Sequence, residues 1–563
     1  MTVLPLLLAV GIAGPGAPSL LPFDQYEAEE QQTDGSVIGP DRQFGTLAAE
    51  ASGRKAVRFD RAGQSLHLRL VRPANALTVR YSVPDSADGR GLDGRLGVHV
   101  DGQAVATVPV TSRFSWLYGK YPFSNRPGDG RAHHFWGEVR LRLPRTLPAG
   151  SVVSIVQPAD GRLAWTAIDV VDLELAQPPV TPSPGALSLA RFGADSSGRR
   201  DSGAAVRAAV RQARRRGVPL YVPPGRYRVN GHLLLDRVTI EGAGPWHSLL
   251  FGAGIGLCSR PNPAVSTDVH VSRLAIEGEV HERRDDQPLS AVCGRFRRSS
   301  FTDLFLHRTK VGVWIDGPGE EIVLARLRIT DQTADGINLH RAIRSAVIEQ
   351  NFIRNTGDDG IALWSEKEAN SDIAIRNNHV VAPSLANGIA LYGGHNITVT
   401  GNVVADTLTQ GGGIHLGTRF KSAPFTGNID IRDNLLERTG SFDPNWQFGV
   451  GALWFYSLEQ PIDRARITIT GLRIDDSTCE AIQFIGAHHI GGITLDGVTA
   501  SNVNGAFLAL RSGGAADFRN VRVRGTGSTQ PVAVPANFAL RDLGGNEGWT
   551  RATPSREAIP DCT

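Results

Sequence analysis

Lysine and methionine are scarce. Most of the 59 basic residues are Arg, and Met occurs once in 563 residues. Long stretches with helical apolar spacing are also rare, which argues against a helical bundle. The net charge is only +3, so the chain lacks the basic footprint of a nucleic-acid partner. No apolar run is long enough to span a bilayer, and no membrane partner is expected. The four cysteines, Cys258, Cys293, Cys479 and Cys562, lack the close spacing of a metal cluster. Gly, in contrast, is abundant at 64 residues. Turn residues separate many short apolar runs, the profile of an all-β chain. The length allows two or more domains.

Thr2 to Ala13 is apolar and gives way to Gly14-Pro15-Gly16-Ala17-Pro18. This is the order of a signal-peptide core and cleavage zone, although no positive residues precede it. Residues 1–22 are therefore expected to be a signal peptide, and the protein to be secreted. An exported chain can form disulfides. Cys258 with Cys293, and Cys479 with Cys562 at the C-terminal tail, are the expected pairs; four buried thiols are the alternative.

Residues 23–176 have the short alternating strands of a β-sandwich: Ala56 to Phe59, Leu66 to Leu70, Leu77 to Tyr81 and Gly97 to Val100. The stretch opens with Tyr26-Glu27-Ala28-Glu29 and closes with Ile168 to Glu174. Here the chain resembles the jelly-roll carbohydrate-binding modules of families 6 and 35. In those modules an early Glu-x-Glu and a late Asp share a structural calcium ion. The resemblance makes Glu27, Glu29 and Asp169 or Asp172 candidate calcium ligands; solvated strand ends are the alternative. An aromatic stretch, Phe114 to Phe123 and then His133 to Trp136, either stacks on sugars or packs in the core and against the next domain. Residues 177–186 contain Pro178-Pro179 and Pro182-Ser183-Pro184 and read as a semi-rigid linker.

From 187 to 563 the sequence repeats. Ala204 to Arg216 has helical spacing behind Asp201, a candidate N-cap. About ten strand-turn units follow, with a period in the twenties that reads as coils of a solenoid. Four successive units carry Asn351, Asn378, Asn402 and Asn434 at the same turn, expected to stack as an internal ladder. A second strand runs in phase at Ile337 to His340, Ile361 to Trp364, Ile389 to Tyr392 and Ile414 to Gly417. Alternation sends its second and fourth positions outward. Those columns read Trp314, Asn338, Ala362, Ala390, His415 and Asp316, His340, Trp364, Tyr392. Insertions at 406–413 and 439–454 break the period on this flank and are expected to wall a groove.

Asp335-Gly336-Ile337 and Asp358-Asp359-Gly360-Ile361 stand in register, with Asp335 and Asp359 24 residues apart. Stacked coils would bring them within about 4.8 Å of vertical rise. On these residues the chain resembles glycoside hydrolase family 87, the α-1,3-glucanases and mycodextranases, over 187–563. The resemblance implies a right-handed parallel β-helix, capped by the helix at its N-terminal end and preceded by the sandwich. It implies an inverting, endo-acting hydrolase of α-1,3-glucan. Asp358 would be the general acid, while Asp335 and Asp359 would hold the attacking water. The acid's pKa should be raised by its anionic neighbours, and an inverting pair should stand roughly 6.5–9.5 Å apart. Gly357 and Gly360 would let the backbone bend and aim both neighbouring carboxylates into the groove.

Asn338, His340, Trp364, Tyr392, His415 and Trp454 are the substrate-binding candidates; ladder packing is the alternative for the rings. No cofactor is expected for catalysis, and the partner is a polysaccharide bound by a monomer. Two other readings stay open. One is a β-helix hydrolase of the dextranase or polygalacturonase type. The other is a non-catalytic polysaccharide-binding β-helix.

Overall fold

The computed structural model describes residues 21–120, 123–535 and 537–550. Nearly all of the expected signal peptide, and Cys562, lie outside the described residues. No helix among them is long and apolar enough to cross a membrane.

Residues 24–174 form two antiparallel sheets of six and five strands. Val57, Phe59, Leu66, Leu68, Leu77, Val79, Val98 and Ile155 fill the space between them. A sandwich standing alone in water would keep alternate residues of each strand wet. Yet every residue of Ala74–Ser82 is buried, and so is nearly all of Thr166–Glu174. The outer face of the six-stranded sheet is therefore covered, and the cover is the second domain.

Buried ions fasten the two domains. Arg354 bonds Glu138 and Asp172, the latter at 2.8 Å, with all three side chains closed to solvent. Arg328 reaches Asp172 and, at 2.9 Å, Glu174. Asn355 donates to the Trp136 carbonyl at 3.0 Å and to Asp331 at 2.7 Å. Arg140 lies between the rings of Trp246 and Phe305 at 3.7 and 3.8 Å. The aromatic stretch goes mainly to packing: Trp136 is fully buried, Phe135 and Tyr118 nearly so, and Phe114 lies against Arg308. The linker is not loose either. Ser183 donates its N–H and hydroxyl to Glu241, both at 2.7 Å, and lies along the first coils.

The second domain is a parallel β-helix with three sheets of fifteen, twelve and eleven strands. That is about twelve coils, not ten. The early coils use strands of three to five residues, such as Leu220–Val222 and Gly225–Arg228, too short to show a pattern. The helix Gly203–Arg216 covers the first coil with Val206, Ala209, Val210 and Ala213. Its N-cap is Ser202 and not Asp201, although Asp201 still accepts the Gly203 N–H at 2.8 Å.

Inside, Ile, Leu and Val stack rung on rung. The asparagine ladder forms as expected. Asn351, Asn378 and Asn402 each donate a side-chain N–H to the next amide oxygen, and Asn434 closes the run, every step at 2.9 Å. Cys258 and Cys293 are register partners on adjacent strands and are disulfide-bonded. Cys479 is disulfide-bonded as well.

Replacing Arg354 by Met would strand Glu138 without its cation and leave Asp172 with Arg328 alone. Breaking a buried ion network this way costs about 3–5 kcal/mol. The chemical-denaturation midpoint should fall accordingly. An unchanged midpoint would mean that apolar packing alone holds the domains.

Candidate active site

Six successive rungs of the eleven-stranded sheet carry the site: β1 (Val311–Asp316), β2 (Ile337–His340), β3 (Ile361–Trp364), β4 (Ile389–Tyr392), β5 (Ile414–Gly417) and β6 (Leu453–Ser457). They pair in parallel with Ile337 against Ile361 and Ile361 against Ile389, as the period required. The outward columns are those read from the sequence. The structure adds Trp454 beneath His415.

A glycine stands before each of β2 to β5, and none of the four has room for a side chain. A Cβ on Gly360 would meet Val380 Cγ1 at 2.2 Å and the Gly388 carbonyl at 2.7 Å. Close stacking therefore demands glycine here. The expected bend is not the reason, since neither Gly357 nor Gly360 has a positive φ. The ladder continues through this turn: Gly336 N–H donates to the Asp359 carbonyl at 3.0 Å, and Gly360 N–H to that of Asn387 at 2.9 Å.

This stacking brings the three acids together. One carboxylate oxygen from each of Asp335, Asp358 and Asp359 lies within 4.8 Å of the other two. Their surroundings differ. Asp335 is buried and accepts from Asn338 Nδ2 at 3.2 Å. Asp359 is buried with both oxygens engaged. Oδ1 accepts from the Asn387 backbone N–H at 2.8 Å and from its Nδ2 at 2.9 Å; Oδ2 accepts from the Tyr392 hydroxyl at 2.9 Å. Asp358 keeps 24% of its side chain exposed. Its Oδ1 accepts the Asp359 N–H at 3.0 Å, and its Oδ2 accepts from Arg283 Nη1 at 2.5 Å.

Burial, then the charges of Asp358 and Asp359, hold the Asp335 carboxyl well above the ordinary carboxylate range. Burial, then Asp358, pushes Asp359 up to about 7. These two raised carboxyls flank Asp358, which carries a guanidinium.

The binding candidates divide into two groups. His340 and Trp364 lie at the surface with ring centres 4.3 Å apart, and Trp314 joins them. His340 is also bonded to Asp316 at 3.0 Å and Glu366 at 3.2 Å. Asn338, Tyr392, His415 and Trp454 are buried. Asn338 and Tyr392 hold the catalytic candidates directly. His415 stacks on Trp454 at 3.8 Å, and burial keeps its pKa well below the usual range, so it is neutral. Trp454 donates to Asn387 Oδ1 at 2.8 Å and so steadies the residue that grips Asp359. Trp446 of the 439–454 insertion packs edge-on against Trp454, and Phe420 and His415 pack against Tyr392.

Three residues were not singled out from the sequence. Asn387 had a signal: Asn387-Gly388-Ile389 repeats the Asp-Gly-Ile phrase one coil on. Glu366 and Arg283 sit outside the strand pattern and had none.

Of the calcium candidates, Glu27, Glu29 and Asp169 lie near enough to act on one another's charge, with Ser52 bonded to both Glu27 and Asp169, whereas Asp172 turns to the other domain. Among the described residues, Glu27, Glu29, Asp169 and Asp172 supply no set of three whose oxygens lie within 4.8 Å. Asp169 is paired with Arg80, both fully buried, and Asp172 with Arg328 and Arg354. Glu27 accepts from the Ser52 hydroxyl at 2.7 Å, and burial, then the charge of Asp169, pushes its pKa up to about 8. Among the described residues the one His–Cys grouping, His232 with Cys258 and Cys293, has both sulfurs in the disulfide.

Residues 20–176 match the family profile described as alpha-1,3-glucanase catalytic domain D1, and residues 196–507 the one described as domain D2. No curated protein matches the chain. Among solved structures, the catalytic unit of the thermostable GH87 alpha-1,3-glucanase from Streptomyces thermodiastaticus strain HF3-3 is 37% identical, with a TM-score of 0.86. That match covers 95% of this chain and 98% of the other. The catalytic domain of a GH87 alpha-1,3-glucanase in complex with nigerose is 24% identical, with a TM-score of 0.82, covering 94% of this chain and all of the other. The sheets, the stacked aspartates and these matches agree: the chain belongs to glycoside hydrolase family 87, the α-1,3-glucanases.

Proposed function

We propose that this protein is a secreted, endo-acting hydrolase that cleaves α-1,3-glucosidic bonds with inversion. The observation that carries the reading is the convergence of Asp335, Asp358 and Asp359 within 4.8 Å on adjacent coils. Three carboxyls so close cannot all ionise, and a proton shared among them is what glycosidic cleavage uses. Asp358, the most exposed, takes the proton that the cluster shares and donates it to the leaving oxygen, which leaves Asp335 and Asp359 as the carboxylates that draw the proton from the attacking water. A GH87 relative is described in single aspartate-to-alanine forms at positions 23 and 24 residues apart, the spacing of Asp335 to Asp358 and Asp359. Beside the acids, His340, Trp364 and Trp314 form a surface along the coil axis on which a sugar chain can stack.

The acid spacing favours a second reading. The nearest oxygens stand closer than the roughly 6.5–9.5 Å of a usual inverting pair, as in an enzyme that retains configuration. Against it, Asp359 has both oxygens fixed by Asn387 and Tyr392, and Asp335 lies buried behind Asn338. Both lie deeper than Asp358. Both are suited to orient water.

Sugar release from α-1,3-glucan, nigeran, dextran and polygalacturonate tests the substrate. Release from α-1,3-glucan is expected, and release only from dextran or polygalacturonate contradicts the reading. Asp358→Asn should lower turnover about 10²–10⁴-fold with the fold intact, the usual contribution of a general acid. A folded, fully active variant would remove Asp358 from that role.

The cluster also predicts a pH dependence of stability. A carboxyl whose folded pKa is raised favours the fold while protonated. That contribution is complete below the unfolded value of about 3.9 and is lost as pH rises through about 7 for Asp359. The melting temperature should fall between pH 5 and 8, and fall less steeply in Asp359→Asn. Equal slopes would show that Asp359 contributes no such term.

A further inference from the structure

Arg283 lies on the loop 279–288, which has no helix or strand of its own. Within the loop Asp285 accepts from Arg283 Nε at 2.9 Å, so the aim of the guanidinium depends on where the loop as a whole is anchored. Its anchors come from three sides. Lys310 Nζ donates to the carbonyls of Arg284 at 3.3 Å and Asp285 at 3.4 Å. His232 Nε2 meets the Pro288 carbonyl at 3.0 Å. The third anchor is on the sandwich. Asn125 donates its amide N–H to the His281 carbonyl at 2.8 Å, and its amide oxygen meets His281 Nδ1 at 2.8 Å. Two residues beyond this double contact, Arg283 meets Asp358.

We infer that the N-terminal sandwich takes part in catalysis through this loop: Arg283 positions the Asp358 carboxylate, and Asn125 positions Arg283. The inference rests on Asp358 being the acid. Asp358 sits beside two acids that repel it and keeps a path to water, so without a counter-charge it would turn outward. Arg283 holds Oδ2 and the Asp359 N–H holds Oδ1, which fixes both oxygens beside the aromatic surface. The charged and titratable groups around Asp358 are Arg283, Asp335 and Asp359, then Tyr392 with Arg419, and Lys310 with Asp285 and Asp286. Removing the Arg283 charge makes the cluster easier to protonate, which raises the pH at which it loses its working proton.

The test uses the full chain and a soluble α-1,3-linked glucose oligosaccharide. It compares kcat, the pH profile of kcat/KM and the melting temperature in wild type, Arg283→Gln, Arg283→Lys, Asn125→Ala and the Asn125→Ala/Arg283→Gln double variant. Arg283→Gln should lower kcat about tenfold or more, the scale of a misplaced reacting group, and move the alkaline limb upward. Arg283→Lys should restore the limb, because it keeps the charge. Asn125→Ala should shift the limb the same way by less, at an unchanged melting temperature. In the Arg283→Gln background it should add nothing, since its effect passes through Arg283. An unmoved limb in folded Arg283→Gln, or full additivity in the double variant, overturns the inference and leaves Asp358 as the acid. An active Asp358→Asn variant, by contrast, overturns the underlying reading.

Discussion

In a parallel β-helix the ladder hydrogen bonds hold equivalent residues of successive coils about 4.8 Å apart. That fixed rise forces Asp335 and Asp359 together, because both stand at the same turn before an isoleucine. A glycine follows each, and nothing larger fits between the coils. Charge repulsion between the acids is thus built in by backbone bonding that the acids cannot escape. The fold answers part of it with Asn338, Asn387 and Tyr392, and part with Arg283. What remains is a cluster that holds protons where isolated aspartates would have lost them.

The sandwich is part of the same construction. Its outer sheet is buried against the coils by Arg354, Arg328 and Arg140, and its Asn125 reaches the loop beside Asp358. A separable sugar-binding module would show a wet outer face. Here that face is closed. The proposed substrate surface is instead built mainly by one sheet of the β-helix and the loops around it.

Periodicity made half of this legible. Side chains alternate on a strand and coils repeat, so the spacing of Asp335 and Asp359, the outward columns and the asparagine ladder could be read from position alone. Interactions without a period could not. Asp172 looked like a calcium ligand because its arginine partners lie 156 and 182 residues away in the other domain. His415 and Trp454 point outward from their strands, yet both are buried, Trp454 against Trp446 of an insertion whose path the sequence does not give. Arg283 arrives on an irregular loop with no phase relation to the acid it meets. Asn387 alone was recoverable, as the third member of the Asp-Gly-Ile series with its acid replaced by an amide.

The central claim is that water held by Asp335 and Asp359 displaces a leaving group protonated by Asp358. Proton NMR of a fresh α-1,3-glucan digest, recorded before mutarotation, tests it most directly. Single displacement inverts the α-linkage, so the β-anomer should appear first. If the α-anomer appears first, one of these aspartates bonds to the sugar, and the roles assigned to them are wrong.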